Sequence, residues 1–392
     1  MNWKWVIDFV KKNGLNSKNC SIAFLIFSFV FILIKLYSFC LDNNGWIIGD
    51  WLINYVDGGF KRRGLSGSLF FLMQNFTGFQ LNVLINAVLV VLYLLFLYFV
   101  ISILWVKKIN IFFFSLLLSP LTFLFYYNDS LIIGRKEIII FLIYVYFLHA
   151  LLKKKLTTRK EWIICFFITI ATLFHEMMFL YIPYFIITLY LDTSKIELKR
   201  YAKYFIASFV PVLLILLMGK HVNEGNTFQI LLNRGIDLRY KVGMLTWPDD
   251  FNVINYIKAN WSSYSLYLIS FLICLGHFSF YLLVVDNKKM LELLSFFVIS
   301  ILYSIPLFLM AIDWGRWFHI HFTLFMLLLL SLLPNKNDVF SIHKKVANKY
   351  YLILFFIITI NLLLMVQHCD NGLAIHHYQF KTVKKIFSLF GL

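Results

Sequence analysis

The sequence has few charged residues and lacks the common motifs of soluble enzymes. Only 14% of its 392 residues are charged, 61% are hydrophobic, and the mean hydropathy is +0.80. A soluble chain of this length cannot bury so much apolar surface, so the composition indicates an integral membrane protein. The sequence contains no glycine-rich phosphate loop of either common type, which argues against a nucleotide site.

Cysteine is also scarce. The five cysteines are scattered, mostly in or near apolar segments, with no CxxC pair and no Cys/His cluster. This pattern argues against a disulfide framework and predicts no protein-bound metal. We therefore expect no cofactor, and a divalent metal ion remains an open alternative.

Long apolar runs are what the sequence has in abundance. They predict an all-α integral membrane protein with about eleven transmembrane helices in one polytopic domain, 1–392. In 162–191 the pattern fits either two short helices that meet at His175 or one long helix broken there. The predicted spans are 21–41, 81–106, 109–127, 137–152, 162–174, 177–191, 204–218, 264–285, 290–311, 318–333 and 350–366.

The balance of charge is strongly basic, with 36 Lys and Arg against 19 acidic residues and a net charge of +17. The basic residues lie mainly in short clusters between apolar runs, which favours membrane topology and contact with anionic lipids over nucleic acid. A cytoplasmic N-terminus puts the larger basic set inside, as the positive-inside rule expects. At the other end, Lys381, Lys384 and Lys385 alternate with apolar residues and predict an interfacial helix.

This orientation places a first loop, 42–80, outside the cytoplasm. Asp50 and Asp57 are candidates for a general base or a metal ligand, because an apolar boundary raises the pKa of a carboxyl group. Lys61, Arg62 and Arg63 can clamp a phosphate, the two arginines through their forked donors. Residues 65–79 are too short to span and are expected to lie in the interface. The alternative is ordinary loop charges whose arginines reach lipid head groups.

Two further outward segments are polar. Arg135 and Lys136 sit beside a helix start near Gly134, where free N–H groups attract anions; an Arg/Glu pair closing a helix end is the alternative. His175 and Glu176 interrupt an apolar run, and either can shuttle a proton. The sequence there is His-Glu-Met-Met-Phe, so the second histidine of a zinc protease motif is absent. A buried hydrogen-bonded pair is the other interpretation.

The last two candidates lie nearer the C-terminal half. Asp313 and Arg316 are three residues apart and either pair on one helix face or contact a ligand beside flanking tryptophans. His319 and His321, two apart, do not share a helix face, so a metal pair there is disfavoured. Arg239 belongs to a large outer loop, 219–263, whose mixture of charges and aromatics suits a sugar phosphate and equally any hydrated loop.

A lipid-linked sugar fits the outward charges best. Its tail would lie in the bilayer, its phosphates would meet Arg and Lys, and its sugar would meet carboxylates and tryptophans. A carboxylate would deprotonate an acceptor hydroxyl while cations stabilise the departing phosphate.

In layout, with an acidic residue in the first outer loop followed by an interfacial helix, the chain resembles multi-pass GT-C-type glycosyltransferases and the O-antigen and capsule polysaccharide polymerases. The resemblance implies an enzyme of the bacterial inner membrane that polymerises or transfers glycan from a polyprenyl (di)phosphate-linked donor outside the cytoplasm. Membrane lipids and a chain-length regulator protein would be its partners. Asp50 and Asp57 are seven apart, without the tight Asp-x-Asp of many members, so metal-independent transfer is expected.

On this reading Asp57 or Glu176 would be the base, while Asp50 and His175 would orient groups or relay protons. The substrate-binding residues would be Arg62, Arg63, Arg135, Lys136, Arg316, Asp313 and Arg239. Two alternatives stay open: a flippase or transporter of lipid-linked oligosaccharide, and a membrane acyltransferase that uses His175 and Glu176.

Overall fold

A computed structural model describes residues 17–221, 226–246, 251–285, 289–336, 348–369 and 372–375, and the chain there is mostly helical. This confirms the all-α class. The first helices are α1 Ser17–Leu41, α2 Ile48–Trp51, α3 Gly64–Thr77, α4 Leu81–Val106, α5 Ile111–Leu117, α6 Phe125–Asn128, α7 Glu137–Leu152, α8 Thr158–Phe174 and α9 Pro183–Thr193. The remaining ones are α10 Leu198–Met218, α11 Thr227–Asn233, α12 Val253–Ala259, α13 Trp261–Val285, α14 Met290–Tyr303, α15 Ile305–Met310, α16 Trp314–Leu332 and α17 Asn348–Leu363.

Shorter elements complete the described chain. Three 3₁₀ turns occur at Ser130–Gly134, Glu176–Tyr181 and Met244–Thr246. Two strands of two residues each, β1 Leu364–Met365 and β2 Ala374–Ile375, pair antiparallel.

Among the described residues, five helices are long and apolar enough to cross a membrane: α1, α4, α10, α13 and α16. In four of them at most a third of the apolar window is buried, whereas α16 is 94% buried. A bilayer can cover the exposed apolar sides of the first four, while α16 is a core helix covered by protein. These helices and the composition support a membrane protein.

Several predicted spans are interrupted. The predicted span 109–127 is divided between α5 and α6. Pro120 has no N–H with which to continue the helical hydrogen bonds, and the Leu116 carbonyl accepts from Thr122 Oγ1 at 2.6 Å instead. The predicted span 290–311 is divided into α14 and α15, with Pro306 in the first turn of α15. The 162–191 region is two helices, since His175 adopts an extended backbone between α8 and the second 3₁₀ turn.

The described chain forms two compact units, each built from several stretches of sequence. Unit 1 contains residues up to 25, 104–130 and those from 253 onward. Unit 2 contains 26–103 and 131–252. The predicted interfacial helix at the C-terminal end (381–387) lies outside the described residues.

In unit 2 the predicted interfacial segment is α3, and it packs closely on the chain that precedes it. A Cβ at Gly67 would lie 2.3 Å from the Ile53 carbonyl oxygen, which already accepts the Gly67 N–H at 2.9 Å. Only glycine permits this approach. The helix therefore fixes residues 50–63, which carry most of the charge discussed below.

Candidate functional site

A buried network of charges in unit 2 joins four parts of the chain. Its centre is Asp50, which is 1% exposed and lies in α2. Arg63 donates from Nη1 to Asp50 Oδ1 at 3.2 Å, and Lys136 Nζ lies 3.6 Å from Asp50 Oδ2. The Lys136 ammonium also donates to the backbone carbonyls of Asp50 at 2.8 Å and Phe174 at 3.2 Å. One carboxylate thus holds two cations in place.

The second carboxylate of the network is Glu176, at the start of the 3₁₀ turn after α8. Arg63 donates to both of its oxygens, from Nη2 to Oε1 at 3.0 Å and from Nε to Oε2 at 3.2 Å. Arg62 donates from Nε to Oε1 at 2.6 Å, and its Nη2 contacts the same oxygen. Two guanidinium groups therefore close on one carboxylate, an arrangement that suits a phosphate equally well.

The break between α8 and the 3₁₀ turn is what brings Glu176 into this position. His175 has φ −158° and ψ 112°, and its ring Nδ1 accepts the Met177 N–H at 3.4 Å. The same ring nitrogen lies 3.8 Å from Glu176 Oε2. A continuous helix through 175 would carry Glu176 onward along the α8 axis, so the local break aims the carboxylate at the arginines.

The network has an inner part and an open edge. The side chains of Lys136, Asp50 and Arg63 are 0%, 2% and 9% exposed, whereas those of Arg62 and Glu176 are 40% and 21% exposed. Three cations face two carboxylates, so the network carries a surplus positive charge. A ligand anion can reach it from the side of Arg62 and Glu176.

The electrostatics of the network follow from burial and pairing. Burial alone would raise the pKa of Asp50, but Lys136 and Arg63 outweigh it and hold that pKa well below its usual range. In the same way, Arg62 and Arg63 outweigh the burial of Glu176 and hold its pKa low. Burial, reinforced by the Arg63 charge, lowers the pKa of Lys136 to about 8 in spite of Asp50. Lys136 is thus the member whose charge changes near neutral pH.

Asp57 belongs to a separate, closed triad in the same loop. Its Oδ1 lies 2.5 Å from Lys61 Nζ, and its Oδ2 accepts from Thr227 Oγ1 at 2.6 Å. Lys61 Nζ in turn donates to Thr227 Oγ1 at 3.2 Å. All three residues are buried. The triad ties the first loop to α11, in the large loop 219–263.

Backbone bonds reinforce this tie between the two loops. Lys220, at the start of the large loop, donates its N–H to the Phe60 carbonyl at 2.9 Å, and its own carbonyl accepts the Arg62 N–H at 3.1 Å. Farther on, Arg63 Nη1 lies 3.8 Å from the sulfur of Met244. The backbone beside the two arginines is therefore fixed from both loops.

The other sequence-predicted residues have different hydrogen-bond partners, although the charge of Arg135 also acts on Asp50. Arg135 donates to the Trp46 carbonyl at 3.1 Å and lies over the Trp46 ring. Arg239 pairs with Asp237 on the exposed surface. In unit 1, Arg316 donates to Asp313 Oδ2 at 2.9 Å, the pairing that their spacing predicts.

Sequence reasoning brought forward most members of the network and, of the triad, Asp57 and Lys61 but not Thr227. Lys61 was expected beside the arginines on a phosphate, and it pairs with Asp57 instead. Thr227 carried no signal, because its partner is 170 positions away. The i, i+4 spacing of Asp57 and Lys61 was the one local sign of their pairing.

Comparisons with protein-family models, with curated proteins and with solved structures gave no match for this chain. The function is therefore inferred from the site.

Proposed function

We propose that the protein is a membrane glycosyltransferase that takes glycan from a polyprenyl (di)phosphate-linked donor outside the cytoplasm and extends a surface polysaccharide. The observation that carries the proposal is the network of Arg62, Arg63 and Lys136 with Asp50 and Glu176, cationic overall and open at one edge. A diphosphate needs such a set of forked, charge-assisted donors.

A surface for the lipid tail lies directly beside these donors. Arg63 is the residue that precedes α3, and α3 exposes Leu69, Leu72 and Phe76. A helix that exposes apolar side chains in this way can pack against lipid at a membrane interface. A polyprenyl chain packed against α3 would carry its phosphates to the arginines.

Glu176 has two successive roles in this proposal. It first accepts hydrogen bonds from the guanidinium groups of Arg62 and Arg63. The phosphate of the glycan donor then competes with Glu176 for the same N–H groups. Once displaced, Glu176 loses the two charges that depress its pKa and becomes basic enough to accept a proton. Asp50 keeps Arg63 and Lys136 in place throughout, and His175 lies beside Glu176 to orient it.

The reaction is a displacement at the anomeric carbon. The acceptor hydroxyl oxygen forms the new glycosidic bond, its proton passes to Glu176, and the bond from the anomeric carbon to the phosphate oxygen breaks. Arg62, Arg63 and Lys136 neutralise the charge on the departing phosphate. Every step uses groups of this chain and the two substrates.

The finer topology belongs to the same proposal. A cytoplasmic N-terminus, about eleven membrane crossings and a bacterial inner-membrane location put the loops 42–80 and 219–263 on the outer face. A chain-length regulator protein would then meet the enzyme from that side.

The test is purified protein in detergent or vesicles, supplied with a lipid-diphosphate-linked glycan. Chain growth by the wild type is expected, and Glu176→Gln should abolish it. Glu161→Gln is the matched control, because Glu161 is likewise held by two cations, Arg200 and Lys203, each at 2.6 Å. Glycan translocation without growth, or transfer of an acyl group, would overturn the proposal in favour of the corresponding alternative.

A further inference from the structure

A second group of polar side chains, in unit 1, has the composition of a metal site. Asp313, His368 and Cys369 each offer a ligand atom, and these atoms all lie within 4.8 Å of one another. All three residues are half-buried. They combine an oxygen, a nitrogen and a sulfur donor, the set that zinc accepts most readily.

The fold brings these residues together by close backbone packing. A Cβ at Gly315 would lie 2.0 Å from the Gln367 carbonyl oxygen, so only glycine lets this segment approach the start of α16. The Gly315 N–H also donates to the His368 carbonyl at 3.3 Å. On the far side, Ser270 Oγ in α13 donates to the Gly372 carbonyl at 2.6 Å. The segment that carries His368 and Cys369 is thus anchored on two helices.

A carboxylate already orients the histidine. Asp129 Oδ2 accepts the His368 backbone N–H at 2.6 Å and contacts the ring Nδ1. Histidines that bind metals characteristically use one ring nitrogen for the metal and the other for a carboxylate of this kind, which fixes the ring and makes it a stronger ligand. Arg316 donates to Asp313 Oδ2 at 2.9 Å and holds that carboxylate at the start of α16.

We propose that Asp313, His368 and Cys369 bind one zinc ion or a similar transition-metal ion, with Asp129 positioning the histidine. A tetrahedral zinc ion with bonds of about 2.0–2.3 Å brings its ligand atoms to about 3.5 Å from one another, so small side-chain rotations close the site. Three protein ligands leave the fourth position to water. The ion would fasten residues 364–369 to the start of α16.

The spacing rules for cysteine and histidine do not find this site, because one ligand lies more than fifty residues before the other two.

The inference is independent of the proposed glycosyl transfer. Its test uses the full chain, purified and stripped of metal with a chelator, and titrated with Co²⁺ and with Zn²⁺ alone.

One equivalent of Co²⁺ should give a thiolate-to-cobalt charge-transfer absorption that Zn²⁺ abolishes. Cys369→Ser should lose the absorption, while Cys20→Ser, the control at another half-buried cysteine, should keep it. Asp129→Asn should retain the absorption but weaken Zn²⁺ binding about 10–100-fold.

Zn²⁺ should also raise the melting temperature of the wild type, and this rise should be lost in Cys369→Ser. Since the metal-free melting temperatures of the two proteins are compared first, a folding defect is separated from loss of the site. Absence of the absorption from the wild type, or its persistence in Cys369→Ser, would overturn the inference.

Discussion

Asp50 and Asp57 are two aspartates of one loop, both buried, and their surroundings differ. Asp57 is balanced by one cation, Lys61, and one hydroxyl, Thr227. Asp50 has two cations, Arg63 and Lys136, and through Arg63 it connects to Glu176 at the open edge. The charges around Asp57 balance one another, whereas the network around Asp50 keeps surplus positive charge within reach of a ligand.

Under the proposed function, this difference separates a structural role from a chemical one within a few residues of sequence. A closed, neutral ion pair in the interior is expensive to disturb and offers nothing to a substrate. A cationic network whose outermost carboxylate is displaceable can bind an anion and then use that carboxylate as a base. The following predictions test this separation, beginning with the largest effect.

Arg62→Ala should reduce glycan transfer by about 100-fold or more, because it removes one charge-assisted donor to the departing phosphate. The melting temperature should stay close to that of the wild type, since Arg62 is the most exposed member of the network. The rate is measured with a lipid-diphosphate-linked glycan. Arg239→Ala, at an exposed arginine that pairs with Asp237, is the control and should transfer at the wild-type rate. Equal transfer rates in Arg62→Ala and Arg239→Ala would show that Arg62 is not part of the site.

Lys61→Met should lower the free energy of unfolding by about 3–5 kcal/mol, because it leaves the Asp57 carboxylate buried without its cation. The rate per folded molecule should be unchanged. Denaturant titration followed by the transfer assay measures both. The double variant Asp57→Leu/Lys61→Met should recover most of the stability, since apolar residues tolerate a buried position that one unpaired charge does not. If the Lys61→Met protein is stable but no longer transfers glycan, the chemical role belongs to Asp57.

The affinity for pyrophosphate should fall as pH rises through about 8. The pKa of Lys136 is lowered to about 8, so the ammonium is charged below that pH and contributes to anion binding there. Above it the charge is lost, while Asp50 and Glu176, whose pKa values are held low, stay ionised. Affinity should fall by up to tenfold for each pH unit. In Lys136→Arg this decline should be absent, because arginine keeps its charge.

Much of this architecture can be read from sequence. Apolar runs predict the long helices, and the helix α7 begins and ends at the predicted residues because Glu137 and Lys153 bound a continuous apolar run. The breaks are harder to predict. Pro120 and Pro306 mark two of them, but the break at His175 depends on its side chain accepting the backbone N–H of Met177.

The sequence predicted which residues belong to the site better than it predicted which of them pair with one another. Charges that interrupt apolar sequence are rare enough to stand out, which is how Asp50, Arg63 and Glu176 come forward together. Which carboxylate meets which cation depends on the packing of α3 and α11 against the loop, and no local pattern encodes it. Asp313 is likewise brought to the neighbours His368 and Cys369 only by tertiary contacts.

The most direct test of the account is the affinity of pyrophosphate for Glu176→Gln compared with the wild type, measured calorimetrically on purified protein. If Glu176 occupies the donors that a phosphate needs, removing its charge should tighten binding about tenfold, equivalent to about 1.4 kcal/mol, even though glycan transfer is lost. Glu161→Gln should leave the affinity unchanged. Unchanged or weaker binding by Glu176→Gln would contradict the claim that this carboxylate and the donor phosphate share one site.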